Sequence, residues 1–240
     1  MNRYFYFSLL SSTLLFAETA TEDNLKTHAE LSYMKTTGNS RTESFSLKSE
    51  ISAVLSEKSE VKGKADAFYA TDDLENTIAN KKYLEGEYNY IFSKNFYALV
   101  KSNYTDDAFS GYDYQLNIGP GLGYRVPFET KKHSLETSLS IQYSQNDPVD
   151  DDVDSYSSTE INAKYAWQIR EKLKFKQSLS HLVSNDDTDM YFSKSVSAVE
   201  YKLSENLSLG TSYTWNYQNH APAGAEQVDT LFLTSLILDY

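Results

Sequence analysis

The 240-residue chain has no cysteine, which removes both disulfides and thiolate metal ligation from consideration. Beyond residue 17 no apolar run approaches the roughly 18 residues that a transmembrane helix needs, and mean hydropathy is −0.55. Bases are scarce: 22 Lys and Arg stand against 34 Asp and Glu, for a formal net charge of −12. With no basic patch, a nucleic-acid backbone is not an expected partner. Neither HExxH nor a nucleophile-elbow signature occurs, so the motifs that would announce a zinc protease or an α/β-hydrolase are missing. Low hydropathy leaves one membrane class open. A barrel strand needs apolar residues only on its lipid side, so its average stays polar.

What the chain does have is alternation. Between Tyr112 and Val126, Tyr112, Tyr114, Leu116, Ile118, Pro120, Leu122, Tyr124 and Val126 are apolar or aromatic, and polar residues or glycines lie between them. A period of two is an extended strand with one apolar and one wet face. The pattern recurs over 25–35, 43–55, 60–70, 80–91, 96–104, 112–126, 133–144, 156–169, 173–183, 190–203, 207–217 and 227–240. It ends on Phe232, Leu236, Leu238 and Tyr240 at alternate positions. Twelve segments of about ten residues closing on an aromatic predict an all-β, antiparallel up-and-down outer-membrane barrel. Aromatics make up 14% of the chain, with 20 Tyr, which suits interfacial girdles.

The links sort into two classes. Five are short (56–59, 93–95, 127–132, 170–172 and 204–206), as periplasmic turns are. Six others (36–42, 71–79, 105–111, 145–155, 184–189 and 218–226) are mostly longer and carry fourteen acids against one base, Arg41. The acidity therefore sits at one end, which is expected to face outward. Within the strands, Lys194 and Glu200 interrupt either face assignment of 190–203 and predict a bulge there. Tyr97 and Leu99 are expected to point inward as lumen-filling side chains.

At the N-terminus, Arg3, the apolar stretch Tyr4 to Phe16 and Ala17 read as a secretory signal over 1–17, leaving 18–240 as the barrel.

Several stretches carry a family resemblance: Gly38-Asn39-Ser40, Thr42 to Ile51, Asp66 to Tyr69, and Asn103 to Val126. The most specific part is Asp106-Asp107-Ala108-Phe109 followed by Gly119-x-Gly121-x-Gly123-Tyr124. The chain resembles, over nearly its whole mature length, the salt-stress-induced outer-membrane proteins grouped as domain of unknown function 481. The resemblance implies a small outer-membrane barrel, brings no catalytic residues, and points to envelope maintenance or salt-stress adaptation. A passive small-solute channel through a narrow polar lumen is the alternative.

The inward positions offer candidate lumen-lining groups: Lys48, Glu50, Lys62, Lys64, Asp66, Glu85, Glu87, Lys101, Arg125, Glu136, Glu160, Lys164, Lys174 and Lys176. Both signs interleave on neighbouring strands, where opposite side chains lie about 5 Å apart. They are expected either to line a pore or to fill the barrel with ion pairs. Gly119, Gly121 and Gly123 share the inward face of one strand, which suits barrel curvature or a seat for another side chain. Asp150, Asp152 and Asp154 could hold a hard cation, although their loop lacks the Gly and Glu of an EF-hand. His181, with serines nearby, is the one place where a wall-mounted hydrolase could be sought, and no motif supports it. No cofactor is expected. Expected partners are outer-membrane lipid and lipopolysaccharide, divalent cations at the acidic loops, and the barrel assembly machinery.

Overall fold

The computed structural model describes residues 24–36, 42–72, 74–149, 151–222 and 225–240. The secretory signal expected over 1–17 therefore falls outside the described residues. Twelve strands are formed: β1 (Leu25–Thr36), β2 (Thr42–Ser56), β3 (Ser59–Thr71), β4 (Thr77–Ile91), β5 (Phe96–Asp107), β6 (Tyr112–Arg125), β7 (His133–Pro148), β8 (Asp154–Arg170), β9 (Leu173–Ser184), β10 (Tyr191–Lys202), β11 (Leu207–Gln218) and β12 (Val228–Asp239). Each pairs antiparallel with its chain neighbours, and β1 pairs with β12 to close the barrel. The seam pairs His28–Leu31 with Leu236–Asp239, and such closure suits a sheet in lipid, where a free edge of unpaired N–H and C=O groups is costly.

The period-two pattern explains the two surfaces. Along β12, Phe232 is 63% exposed while Leu233 is 6% and Ile237 2% exposed, because successive side chains leave opposite faces. Serine fills many inward positions and is satisfied across strands, as in Ser32–Ser235 and Ser144–Ser158, both 2.7 Å. Aromatic rings gather at both ends of the outer wall. Phe96 and Tyr124, and His133 with Trp167, lie at the short-turn end. Tyr104–Tyr114 and Tyr191–Tyr217 lie at the loop end.

Strands run past their expected ends chiefly at the loop end, β5 to Asp107 and β7 to Pro148. Two expectations are corrected. No bulge occurs in β10, whose register is continuous against both β9 and β11. Lys194 and Glu200 share an even parity with Phe192, Val196 and Ala198 and simply face inward; small Ser193, Ser195 and Ser197 occupy the outer face and disguise it. Bulges fall elsewhere, including one between Tyr112 and Tyr114. That bulge reverses the face of Tyr112, which the alternation puts outside with Tyr114. Tyr112 is instead 5% exposed, and its ring meets Phe192 of β10 edge-on at 6.2 Å.

The three glycines of β6 are each required by a close approach. A Cβ on Gly119 would lie 2.1 Å from the Ile141 carbonyl oxygen, and one on Gly121 2.6 Å from that of Leu139, so β6 and β7 press together there. At Gly123 the neighbour is a side chain: the Tyr97 ring occupies the space, 2.0 Å from where a Cβ would stand.

Candidate functional site: the barrel lumen

All fourteen sequence-derived candidates lie on inward-facing positions. At the short-turn end they form a network between β3, β4, β6 and β7. Arg125 donates from Nη2 to Glu60 at 2.6 Å and from Nε to Glu136 at 2.8 Å. Lys62 reaches Glu136 and Glu87, each at 3.5 Å. The Arg125 guanidinium also stacks 5.0 Å from the centroid of Tyr97, the ring seated on Gly123. β3 and β6 are not neighbours, so Arg125–Glu60 spans the lumen rather than the ladder.

Midway, Lys101 of β5 pairs with Glu160 of β8 across the barrel. Glu160 also accepts from Gln142 Nε2 at 2.6 Å and from Ser180 Oγ at 2.9 Å. Lys64 pairs with Glu50 at 3.2 Å and Asp66 at 3.6 Å, while Tyr83 donates to Glu85. Lys48 meets Glu30 at 3.4 Å, and Lys176 meets Glu200. Lys174 is in register opposite Glu200, and Lys164 opposite Glu136.

At the loop end, two distant segments touch over the mouth. The Tyr112 hydroxyl donates to the His220 carbonyl at 3.4 Å, and Gln218 Nε2 donates to the Ser110 carbonyl at 3.2 Å. Gly111, at φ 86°, makes this possible: its left-handed backbone suits glycine, and a Cβ there would lie 2.9 Å from Pro222. Outside the strands, the 71–77 link is held by Asp72. Its carboxylate accepts from the Asn76 side chain at 3.0 Å and from the Leu74 and Asn76 backbone amides at 3.0 and 2.8 Å. These bonds hold its pKa below the ordinary aspartate value, the Asn76 amide side chain contributing most.

Despite these bridges the interior is not filled. One cavity of about 1010 Å³ runs along it, bounded at the short-turn end by Lys26, Asn206 and Asp239 and at the loop end by Ser110, Gln218 and Gln227. Cross-lumen bridges crowd the β3–β8 half, and many of the cavity's lining residues come from β1, β2 and β9–β12.

Several lumen groups were not among the sequence candidates: His28, Glu30, Glu60, Lys81, Tyr83, Lys194, Glu200 and Asp239. Parity is the signal that finds them, except on β10, where the serine-rich outer face hides Lys194 and Glu200. His28 bridges Glu30 at 3.0 Å and Asp239 at 2.6 Å. Among the described residues, the one grouping with metal-capable geometry is His28, Glu30 and Glu200, with ligand atoms within 4.8 Å. Lys48 and Lys176 already neutralise its carboxylates. The acidic loop is not gathered in this way: Asp152 and Asp154 are exposed, and Asp150 lies outside the described residues. His181 sits on the outer wall with Nδ1 2.9 Å from Ser193 Oγ. Among the described residues no carboxylate bonds to it, so the orienting acid of a triad is missing.

A closed twelve-strand antiparallel barrel with an apolar outer wall, aromatic ends and a charged lumen is the architecture of outer-membrane β-barrels. The chain belongs to the family described as "Protein of unknown function, DUF481", whose model matches residues 29–240. No curated protein sequence matches it closely enough to count as a relative. Among solved structures it is similar to the COG4313 outer membrane channel from Pseudomonas putida F1, with TM-score 0.53, 8% identity, and coverage of 90% of this chain and 94% of that one. The translocator domain of the autotransporter NalP from Neisseria meningitidis gives 0.52 and 11%, covering 93% and 90%. The NanC porin gives 0.51 and 11%, covering 90% and 97%. At these identities the likeness bears on the fold.

Proposed function

We propose that this protein is an outer-membrane barrel that provides a narrow, polar, non-catalytic channel for small hydrophilic solutes. One observation carries the reading: a cavity with charged walls extends from the residues of the short-turn end to those of the loop end. A barrel whose only task was mechanical has no need of a continuous void, since inward side chains can fill a small barrel. The acidic loops would face outward, where divalent cations can bridge them to lipopolysaccharide phosphates. Tyr240, bonded through its backbone to Thr27, would present the terminal aromatic to the assembly machinery.

The test is purified protein in planar bilayers. Discrete conductance steps are expected, with an amplitude that changes when Lys64, on the cavity wall, is replaced by Gln. A silent bilayer at confirmed insertion would overturn the channel. It would favour the second reading, a closed barrel of envelope maintenance under salt stress. Two observations support that alternative: the Lys101–Glu160 bridge across the lumen, and the loop contacts over the mouth.

A further inference from the structure

Most charged groups inside the barrel are ion-paired or, like Lys164 and Lys174, stand in register opposite a carboxylate, here Glu136 and Glu200. Lys194 is different. It projects from β10 into the cavity, yet its cross-strand neighbours are the neutral Ser180 on β9 and Asn216 on β11. Among the described residues its ammonium makes no hydrogen bond or ion pair, and it lies over the Tyr83 ring, 5.5 Å from the centroid. The same ring carries Lys64, 6.0 Å from the centroid. Two ammonium groups from walls on opposite sides of the lumen, β3 and β10, thus converge on one tyrosine of β4. The charged groups that bear most strongly on Lys194 are three cations, Lys64, Lys81 and Lys48, against one carboxylate, Asp66. Lys64 already divides itself between Glu50 and Asp66, and Lys81 is held by Asp107 at 2.8 Å. Glu85 accepts a hydrogen bond from the Tyr83 hydroxyl. Asp66 is the one carboxylate bearing on Lys194; it is shared with Lys64 and keeps Oδ1 without a hydrogen-bond partner, and among the described residues it makes no ion pair with the Lys194 ammonium.

An ammonium inside a protein wall without a counter-charge is costly, and proteins ordinarily pair it. Here its directly opposite neighbours are a hydroxyl and an amide, Ser180 and Asn216, and the adjacent space is open cavity. We infer that Lys194, with Lys64 beside the Tyr83 ring, forms an anion-binding site in the lumen that takes the carboxylate or phosphate group of a small solute. Ser180 and Asn216 flank the ammonium as neutral hydrogen-bonding neighbours. The site gives the barrel a preference for anions inside, although the chain is acidic overall and its outer loops are strongly so. Net charge sets how ions approach the mouth, whereas the groups lining the lumen decide which are retained. This inference deepens the channel reading and rests on its water-filled lumen.

The test is isothermal titration of the full, detergent-purified barrel at low ionic strength, where charge pairing is least screened. Inorganic phosphate and acetate serve as separate probes. Saturable binding is expected for the wild type, and the tighter of the two anions identifies the recognised group. Lys194→Met should weaken binding by about tenfold or more, the loss expected for one charge-assisted contact. Lys82→Met, which removes a cation paired with Asp106 and not lining the cavity, should leave binding unchanged. Heat-modifiable gel migration confirms that each variant is folded. Absence of binding to the wild type, or equal binding by Lys194→Met, overturns the site. Anion binding together with a silent bilayer would keep the site and remove the channel. Conductance without anion binding would do the reverse.

Discussion

The seat of Tyr97 on Gly123 offers the sharpest test of how the lumen is packed. Replacing Gly123 with Ala puts a methyl carbon 2.0 Å from Cζ of the Tyr97 ring and within 2.5 Å of two more ring carbons. Overlap of that depth cannot be absorbed in place, so the ring must turn. It has little room to do so, being 4% exposed, with the Arg125 guanidinium stacked upon it. Turning it would disturb the position from which Arg125 bonds Glu60 and Glu136. Overpacking of this kind costs about 1–3 kcal/mol. For a urea slope of about 1–3 kcal/mol per molar, the unfolding midpoint should drop by roughly 1 M. The assay is urea unfolding of the barrel in lipid vesicles, followed by heat-modifiable migration and tryptophan fluorescence. Tyr97→Ala alone should also destabilise, by opening a void. The double variant should be more stable than the sum of the two losses predicts, with a coupling of about 0.5–3 kcal/mol. Simple additivity, or a neutral Gly123→Ala, would refute the account of this glycine as a seat for the ring.

Two further outcomes are expected. Cysteine placed at Asp151 should react with an impermeant thiol reagent on whole cells while cysteine at Asn95 should not, since they lie at opposite ends of the barrel; the reverse pattern would invert the orientation. At Asp72, whose folded pKa is lowered by the Asn76 and Leu74 bonds, the ordering of the 71–77 link should be fully present above the ordinary aspartate pKa. It should fade as pH falls through the lowered folded value. Titration of the Asn76 amide resonances by NMR would show this, and Asp72→Asn should abolish the pH dependence.

Much of this architecture is legible in the sequence because a strand's side-chain period is a local property. Alternation alone assigns Leu122, Ile141 and Phe232 to the outer wall, and the order of links fixes antiparallel neighbours. Face is therefore readable wherever the two parities differ in polarity. It fails in β10, where Ser193, Ser195 and Ser197 make the outer face as polar as the inner one. It fails at Tyr112 too, because a single bulged residue reverses every face beyond it, and the tyrosines give no local sign of the bulge.

The candidate site divides in the same way. Parity places Lys101, Arg125, Glu136 and Glu160 inside, but says nothing of which groups meet across the lumen. That depends on how far round the ring two strands stand and at what height their residues fall. Lys101 finds Glu160 three strands away, and Arg125 finds Glu60 on the third strand back. The same geometry leaves Lys194 over the Tyr83 ring, with no ion pair to any carboxylate among the described residues. The sequence by itself determines a twelve-strand barrel with a charged interior, because both follow from a repeat of two along the chain. Only the closed structure decides which of those charges cancel and which is left over, because cancellation is a matter of distance across a space that no local pattern measures.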